Sequence, residues 1–105
     1  MSKISDLNDV LRTTFFGGRV LLTAGVDALP AVEKTAVLSK IRMFADFNSD
    51  NDPHGEHDLA SVVVDRQTYF AKIDYYAPDM QSGSEDPADP DKTVRVLTIM
   101  RADEY

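Results

Sequence analysis

The chain contains no cysteine and no apolar run that approaches the length of a membrane span. The absence of cysteine excludes disulfides, thiolate metal sites and a cysteine nucleophile. A membrane span needs roughly 20 apolar residues in succession, and the first eleven residues also lack the continuous apolar stretch of a signal peptide. The sequence therefore predicts a soluble cytoplasmic protein without a membrane partner.

Basic residues are missing from two segments, 46–58 and 77–91, and each of these segments carries five acidic residues. The whole chain has 11 basic and 18 acidic residues, so the rest of the sequence is mildly basic. Acidic segments repel a nucleic-acid backbone and attract cations or a basic protein surface. Because the basic residues are scattered, direct nucleic-acid binding is not expected. The acidity also favours solubility, which is an alternative reason for its presence.

Apolar periodicity predicts a single domain over 1–105 with two helices and about four strands. The first helix extends to Phe15 before Gly17-Gly18, and the strongest helical period predicts a second helix from about Asp27 to about Ala45. Branched or alternating sequence predicts strands at 19–24, 59–64, 68–76 and 93–100, with a hairpin turn at 65–67. The order α-β-α-β-β-β predicts an α+β fold, with two helices packed on one face of a largely antiparallel sheet.

The segment 46–58 contains half of a calcium-binding pattern, directly after the second predicted helix. Asp46, Asn48 and Asp50 occupy positions 1, 3 and 5 of a calcium loop, with Asp52 at position 7. Position 6 is not the glycine that the turn of an EF-hand needs, and position 12 is a histidine rather than a bidentate glutamate. A Ca²⁺ site is therefore one interpretation of this loop.

The same segment contains residues suited to a transition metal such as Zn²⁺. His54, Glu56, His57 and Asp58 offer imidazole and carboxylate ligands. Their spacing differs from the helical His-Glu-x-x-His motif, and the glycine between the histidines opposes a helix. A metal-dependent hydrolase remains an alternative, although the sequence favours a protein that is not an enzyme and has no cofactor.

Lys72, Asp74 and Arg95 form a candidate polar cluster on two predicted strands. They supply an orienting group to a hydrolytic site if those strands are adjacent. In the structural interpretation they are a cross-strand charge set on a solvated sheet face. Asn and Asp side chains of 46–58 then cap turns, and His57 bonds a loop carbonyl, so that no ligand is required.

The segment 77–91 is rich in Pro, Gly and Ser, which is typical of an exposed loop. Its acidic residues are candidates for binding a partner protein: Asp79, Glu85, Asp86, Asp89 and Asp91. Two acidic loops on a domain of this size can imitate a row of DNA phosphates in the nucleic-acid cleft of a protein. The sequence therefore favours a protein-binding module that inhibits or modulates a nucleic-acid-handling machine.

Several stretches carry a family resemblance: Asn-Asp-Pro-His-Gly-Glu-His-Asp at 51–58, Lys-Ile-Asp-Tyr-Tyr at 72–76, the strand at 93–100, and Glu104-Tyr105. Together with 17–23, they resemble the bacterial domain-of-unknown-function family numbered 3768. The family usually has Phe-Gly in place of Leu59-Ala60 and an apolar residue in place of Arg101. The resemblance implies a small cytosolic protein of a kind often carried by plasmids and other mobile DNA, and it implies no activity. By analogy with small acidic proteins of mobile elements, the partner is a restriction or CRISPR complex.

Overall fold

The structure, a computed structural model, describes residues 2–105 and has three helices packed on one face of a four-stranded sheet. The helices are α1 (Lys3–Thr14), α2 (Ala24–Asp27) and α3 (Ala31–Met43). The strands are β1 (Arg19–Leu22), β2 (Leu59–Val64), β3 (Gln67–Tyr76) and β4 (Val94–Arg101), with 3-10 turns at Pro90–Lys92 and Ala102–Glu104. The predicted α+β class is confirmed. The short α2 was not predicted.

Helix α1 is fixed at both ends by local hydrogen bonds. At its start, the Ser2 hydroxyl accepts from the Ser5 N–H at 3.0 Å, and the Ser5 hydroxyl accepts from the Ser2 N–H at 3.1 Å. The helix ends where Phe15 takes a left-handed conformation with φ 63°. The glycines that follow at 17 and 18, which are typical of a helix end, do not cap this helix. Gly18 instead allows the chain to pass close to β4, because a Cβ there would clash with the Arg95 carbonyl.

The strands are arranged in the order β1-β4-β3-β2. Both pairs that involve β3 are antiparallel, which confirms a largely antiparallel sheet, whereas β1 runs parallel to β4. The turn between β2 and β3 has positive φ at Asp65 (49°) and Arg66 (67°), as a tight two-residue hairpin requires. The predicted hairpin is therefore confirmed.

Alternation along the strands divides the sheet into a core face and an open face. The helices cover the core face, where the apolar cluster includes Leu11, Val37, Ile41, Ile73, Leu97 and Ile99. On the open face, Leu21 and Val63 are about half exposed, at 51% and 53%. Within the described part of the chain, no helix is long and apolar enough to cross a membrane.

Glu104 links the turn after β4 to the beginning of α2. Its carboxylate accepts the Thr23 hydroxyl at 2.7 Å, the Gly25 N–H at 3.0 Å and the Arg101 N–H at 2.8 Å. These hydrogen bonds lower the pKa of Glu104, because they favour its charged form. The segment after β1 and the segment after β4 are thus joined.

Candidate functional site

The two acidic segments lie at the same edge of the sheet. β3 ends at Tyr76 beside the beginnings of β2 and β4, because β3 is antiparallel to both. The first loop, 46–58, leads into β2, and the second loop, 77–91, follows β3 and leads toward β4. Both loops therefore emerge at this edge, which we call the acidic end.

Side chains of the first loop bond the loop's own backbone. The Asn48 side-chain oxygen accepts the N–H groups of Asp50 and Asn51 at 2.9 and 3.1 Å. The Asn51 amide donates to the Asp46 carbonyl at 2.8 Å. These contacts are the turn-forming bonds that Asn and Asp make in loops. The first half of the loop is therefore folded by its own polar side chains.

Asp52 and His57 fix the second half of the first loop to α1. Asp52 is 8% exposed, and its Oδ1 accepts the N–H groups of Glu56 and His57 at 3.0 and 3.1 Å. The His57 ring stacks on Phe47, with centroids 4.0 Å apart. His57 Nδ1 lies 2.9 Å from Asp9 Oδ1, and Nε2 lies 3.6 Å from Asp52 Oδ2. Both ring nitrogens face carboxylates, so the imidazole joins loop to helix and presents no free base.

Arg12 connects this region to the end of α3. Its side chain is 5% exposed, and Nη2 lies 3.0 Å from Asp9 Oδ1. Nη1 donates to the carbonyl oxygens of Ile41 and Phe44 at 3.2 and 2.6 Å. The last carbonyls of a helix lack partners within the helix, so the buried guanidinium satisfies them. Asp9 thus lies where α1, α3 and the first loop meet.

A second polar network connects the two loops. The Tyr75 hydroxyl donates to Glu56 Oε1 at 2.8 Å, and the Asn8 amide donates to the Tyr75 oxygen and the Glu56 carbonyl at 2.7 and 3.0 Å. Arg95 Nε donates to Asn8 Oδ1 at 2.8 Å, and its Nη2 donates to the Pro87 carbonyl. One chain of hydrogen bonds therefore runs from the first loop, through α1 and the sheet, to the second loop.

Burial shifts the pKa of three groups at the acidic end. It raises the pKa of the Tyr75 phenol well above its ordinary value and lowers the pKa of the Arg95 guanidinium. It also raises the pKa of the Asp58 carboxyl, and the nearby charges of Glu56 and Asp52 raise it further. Each shift follows from the cost of placing a charge where water is largely excluded.

The predicted polar cluster of Lys72, Asp74 and Arg95 was wrong in its placement of Arg95. Lys72 Nζ lies 3.5 Å from Asp74 Oδ2 on the open face. Arg95 pairs with Tyr75 across β3 and β4 and is 3% exposed on the core face. The strands are adjacent, as the hypothesis required, but the side chains extend to opposite faces.

The predicted calcium pattern does not converge on one point. Among residues 2–105, no group of three or more His, Asp or Glu side chains is arranged to hold a metal ion. Asn48 and Asp52 direct an oxygen to backbone N–H groups, whereas Asp46 and Asp50 lie on the loop surface. The alternation of oxygen side chains in the sequence therefore produces a folded turn.

The four residues proposed as transition-metal ligands also do not converge on one point. His57 is bonded to Asp9, and Glu56 accepts from the Tyr75 hydroxyl. His54 and Asp58 line a cavity on the open face. This geometry does not favour the metal-binding alternative.

The second loop keeps most of its acidic side chains in solvent. Its backbone is held by Ser84, whose hydroxyl lies 2.7 Å from that of Thr93, and by the Thr93 hydroxyl, which donates to the Asp86 carbonyl at 2.8 Å. Asp89 is half-buried and caps the following turn through the Asp91 N–H at 2.9 Å. The remaining predicted partner-binding residues are exposed: Asp79, Glu85, Asp86 and Asp91.

Sequence reasoning did not identify Asn8 and Arg12, the polar residues of α1 that organise the two networks. Together with Ser5 they are buried and lie at i, i+3 and i+7, so the three share one side of the helix. A polar stripe beside the apolar stripe of the same helix was the available signal. Asp9, the carboxylate between Arg12 and His57, had no distinguishing spacing.

Comparison with known proteins gives one match. The model of a family described as Protein of unknown function (DUF3768) matches residues 22–104. This range covers nearly the whole chain and confirms the resemblance found in its motifs. Neither the curated proteins nor the solved structures include a match.

Proposed function

We propose a function for this chain, which belongs to the family DUF3768. Because the description of the family gives no activity, the proposal is based on the charged surface of the chain. The protein is a binding module that places its acidic end against a basic surface of another protein. In the narrower form of the proposal it inhibits or modulates a nucleic-acid-handling machine, and its carboxylates take the positions of DNA phosphates.

The placement of both acidic loops at one edge of the sheet carries the proposal. Ten acidic residues belong to these loops, and six of them are exposed: Asp46, Asp50, Asp79, Glu85, Asp86 and Asp91. The arginines of the two polar networks, Arg12 and Arg95, are buried. Negative charge therefore dominates the surface of this edge.

The hydrogen-bonded connection between the loops gives the acidic pattern a fixed geometry. Glu56 of the first loop and Pro87 of the second are joined through Asn8, Tyr75 and Arg95. A preorganised surface loses less conformational entropy on binding than two independent loops. This supports recognition of a partner with a matching basic cleft.

The family resemblance supports a choice of partner. It implies proteins that are often carried on mobile DNA, and such elements meet restriction and CRISPR complexes in the host cell. The nucleic-acid clefts of such complexes are basic because they neutralise phosphates. These complexes are therefore the first candidates for binding and for inhibition.

The experiment measures binding to purified restriction and CRISPR complexes at several salt concentrations and in competition with duplex DNA. The test variant combines Glu85→Gln, Asp86→Asn and Asp91→Asn in the second loop. The matched control combines Asp27→Asn, Asp65→Asn and Asp103→Asn, which removes the same formal charge from exposed positions outside both loops. We expect the test variant to bind at least roughly tenfold more weakly and to show a smaller salt dependence, because fewer charges face the partner.

Equal weakening by the test and control variants would make the effect one of net charge and contradict a specific acidic interface. Binding that duplex DNA does not displace would contradict the imitation of phosphates. Both forms of the proposal are supported by a complex that binds the unchanged protein, binds the test variant more weakly, and releases the unchanged protein when duplex DNA competes.

A further inference from the structure

A cavity of about 310 Å³ lies on the open face beside the first loop. Its walls include His54 and Asp58 from the loop, Lys72 and Asp74 from β3, and the ring of Tyr105. We call it the Tyr105 cavity. Three of the stretches that carry the family resemblance meet here, although they are far apart in sequence. The volume is sufficient for one long side chain or a small ligand.

The chain already holds a cation at the rim of the Tyr105 cavity. Lys72 Nζ lies 3.5 Å from Asp74 Oδ2 and 5.8 Å from the centroid of the Tyr105 ring. Tyr105 and Phe70 form a T-shaped ring pair, and Tyr105 remains 75% exposed. A carboxylate beside an exposed aromatic ring is the combination that attracts organic cations. The Lys72 ammonium therefore lies near both groups at once.

The negative charge of the Tyr105 cavity is not balanced by its own residues. Asp58 and Asp74 carry two carboxylates, whereas Lys72 provides one ammonium group. Burial and the neighbouring carboxylates of Glu56 and Asp52 raise the pKa of Asp58, while His54 offsets part of this rise. A ligand with one positive charge would neutralise the cavity and stabilise the charged form of Asp58.

We propose that the Tyr105 cavity receives an arginine side chain of the partner protein, whose guanidinium displaces the Lys72 ammonium from Asp74, bonds the carboxylates of Asp58 and Asp74 and stacks on Tyr105. The inference rests on the proposed function and names the chemistry of its partner. A planar guanidinium bonds carboxylates through several N–H groups and stacks on aromatic rings, whereas an ammonium group is a more strongly hydrated point charge. A metal ion is disfavoured, because among the described residues no group of three or more His, Asp or Glu side chains is arranged to hold one.

The test uses N-acetyl-arginine amide as the probe and two-dimensional ¹H–¹⁵N NMR of the full chain as the measurement. We expect saturable shifts of the backbone signals of residues 54, 72 and 74. N-acetyl-citrulline amide is the neutral control of the same shape, and N-acetyl-lysine amide is the charged control without the planar group. Binding of arginine that exceeds both controls by roughly fivefold or more supports the guanidinium site.

Variants locate the site. Asp58→Asn and Asp74→Asn should each weaken arginine binding by roughly tenfold, since each removes one charge-assisted hydrogen bond. Asp65→Asn, an exposed change outside both loops, should leave it unchanged. Tyr105→Leu should weaken binding severalfold, and Tyr105→Phe should retain it because the ring is kept. Retained folding is checked by the dispersion of the same NMR signals.

Several results would overturn the inference: citrulline or lysine shifting the same signals as strongly as arginine, or Asp58→Asn and Asp74→Asn binding as well as the unchanged protein. Its failure is distinguishable from failure of the proposed function. If second-loop variants weaken partner binding while arginine does not bind, the cavity inference is wrong and the binding module remains. If arginine binds while the second-loop variants bind the partner unchanged, the cavity remains and the acidic interface is wrong.

Discussion

The first and second loops have the same number of acidic residues and lie at the same edge of the sheet, yet their acidic side chains differ in burial and in hydrogen bonding. In the first loop, Asp52 is buried and accepts backbone N–H groups, and the Glu56 carboxylate accepts the Tyr75 hydroxyl. In the second loop, Glu85 and Asp91 extend into solvent. The number of carboxylates in a loop therefore does not show whether they serve the fold or remain available to a partner.

The partners available to each loop explain the difference. The first loop passes over α1, where Asn8 bonds the Glu56 carbonyl and Asp9 bonds His57. The second loop reaches inward through its backbone, where the Pro87 carbonyl accepts from Arg95. In the second loop, Asp79, Asp86 and Asp89 accept N–H groups of their own loop, and the buried contact is made by the backbone.

The largest expected effect is that of Asp52→Ala in the first loop. It leaves the N–H groups of Glu56 and His57 without their acceptor in a buried place, so we expect a loss of about 2–4 kcal/mol in the free energy of unfolding. Urea unfolding measures it. The matched change in the second loop, Asp91→Ala, is exposed and should cost less than about 0.5 kcal/mol. Equal losses of free energy of unfolding for Asp52→Ala and Asp91→Ala would contradict the difference between a structural first loop and an exposed second loop.

Tyr75→Phe is expected to have the next largest effect. It leaves Asn8 and Glu56 without the hydroxyl between them and should cost about 1–2 kcal/mol, whereas Tyr76→Phe, on the open face, should cost less than about 0.5 kcal/mol. The pKa of Tyr75 is raised in the folded state. Its stabilising contribution is thus present below pH about 10, the pKa of an unfolded tyrosine, and is lost as the pH rises toward the folded pKa. Tyr75→Phe should remove this part of the alkaline destabilisation in a denaturation series.

Asp58→Asn should produce a small change of opposite sign. The pKa of Asp58 is raised in the folded state, so its carboxyl favours folding below pH about 4 and opposes it above. At neutral pH we expect the amide to stabilise the protein by less than about 1 kcal/mol, because water screens a half-exposed group. Thermal unfolding at pH 7 and pH 3 should show the gain disappearing at the lower pH. A variant that is less stable than the protein itself at pH 7 would show that the carboxylate is structural.

The smallest effect on stability is expected for the combined second-loop variant used in the binding test. Glu85→Gln, Asp86→Asn and Asp91→Asn keep the shape of exposed side chains and should change the free energy of unfolding by less than about 0.5 kcal/mol. The same urea series measures it. A loss near that of Asp52→Ala would show that the second loop is as structural as the first.

The strands were predicted well because their alternation is local. The segment of β2 was predicted without error, and the hairpin followed from the turn at 65–67 between two strand-like segments. The helix boundaries were predicted less well. Phe15 ends α1 through a left-handed conformation that an aromatic residue seldom adopts, and α2 is too short to have a periodicity of its own.

The two acidic loops could be predicted from composition, whereas the contacts of their side chains could not. Composition identified both acidic loops, and the fold places them together. The burial of Asp52 and the separation of Arg95 from Lys72 depend on tertiary packing and strand register, because a one-residue change of register moves a side chain to the other face. The pairing of β1 with β4 likewise joins segments that no local pattern relates.

The parallel pair of β1 and β4 has a consequence for synthesis on the ribosome. β1 pairs with β4 alone, and roughly 70 residues separate the two strands. Because the ribosome adds about 5–20 residues per second, β4 is synthesised several seconds after β1. During this time the backbone edge of β1 is open to other nascent chains. Helix α1 and the hairpin of β2 and β3 can form earlier from local contacts. A premature stop codon before β4 would therefore release a chain in which β1 has no strand to pair with.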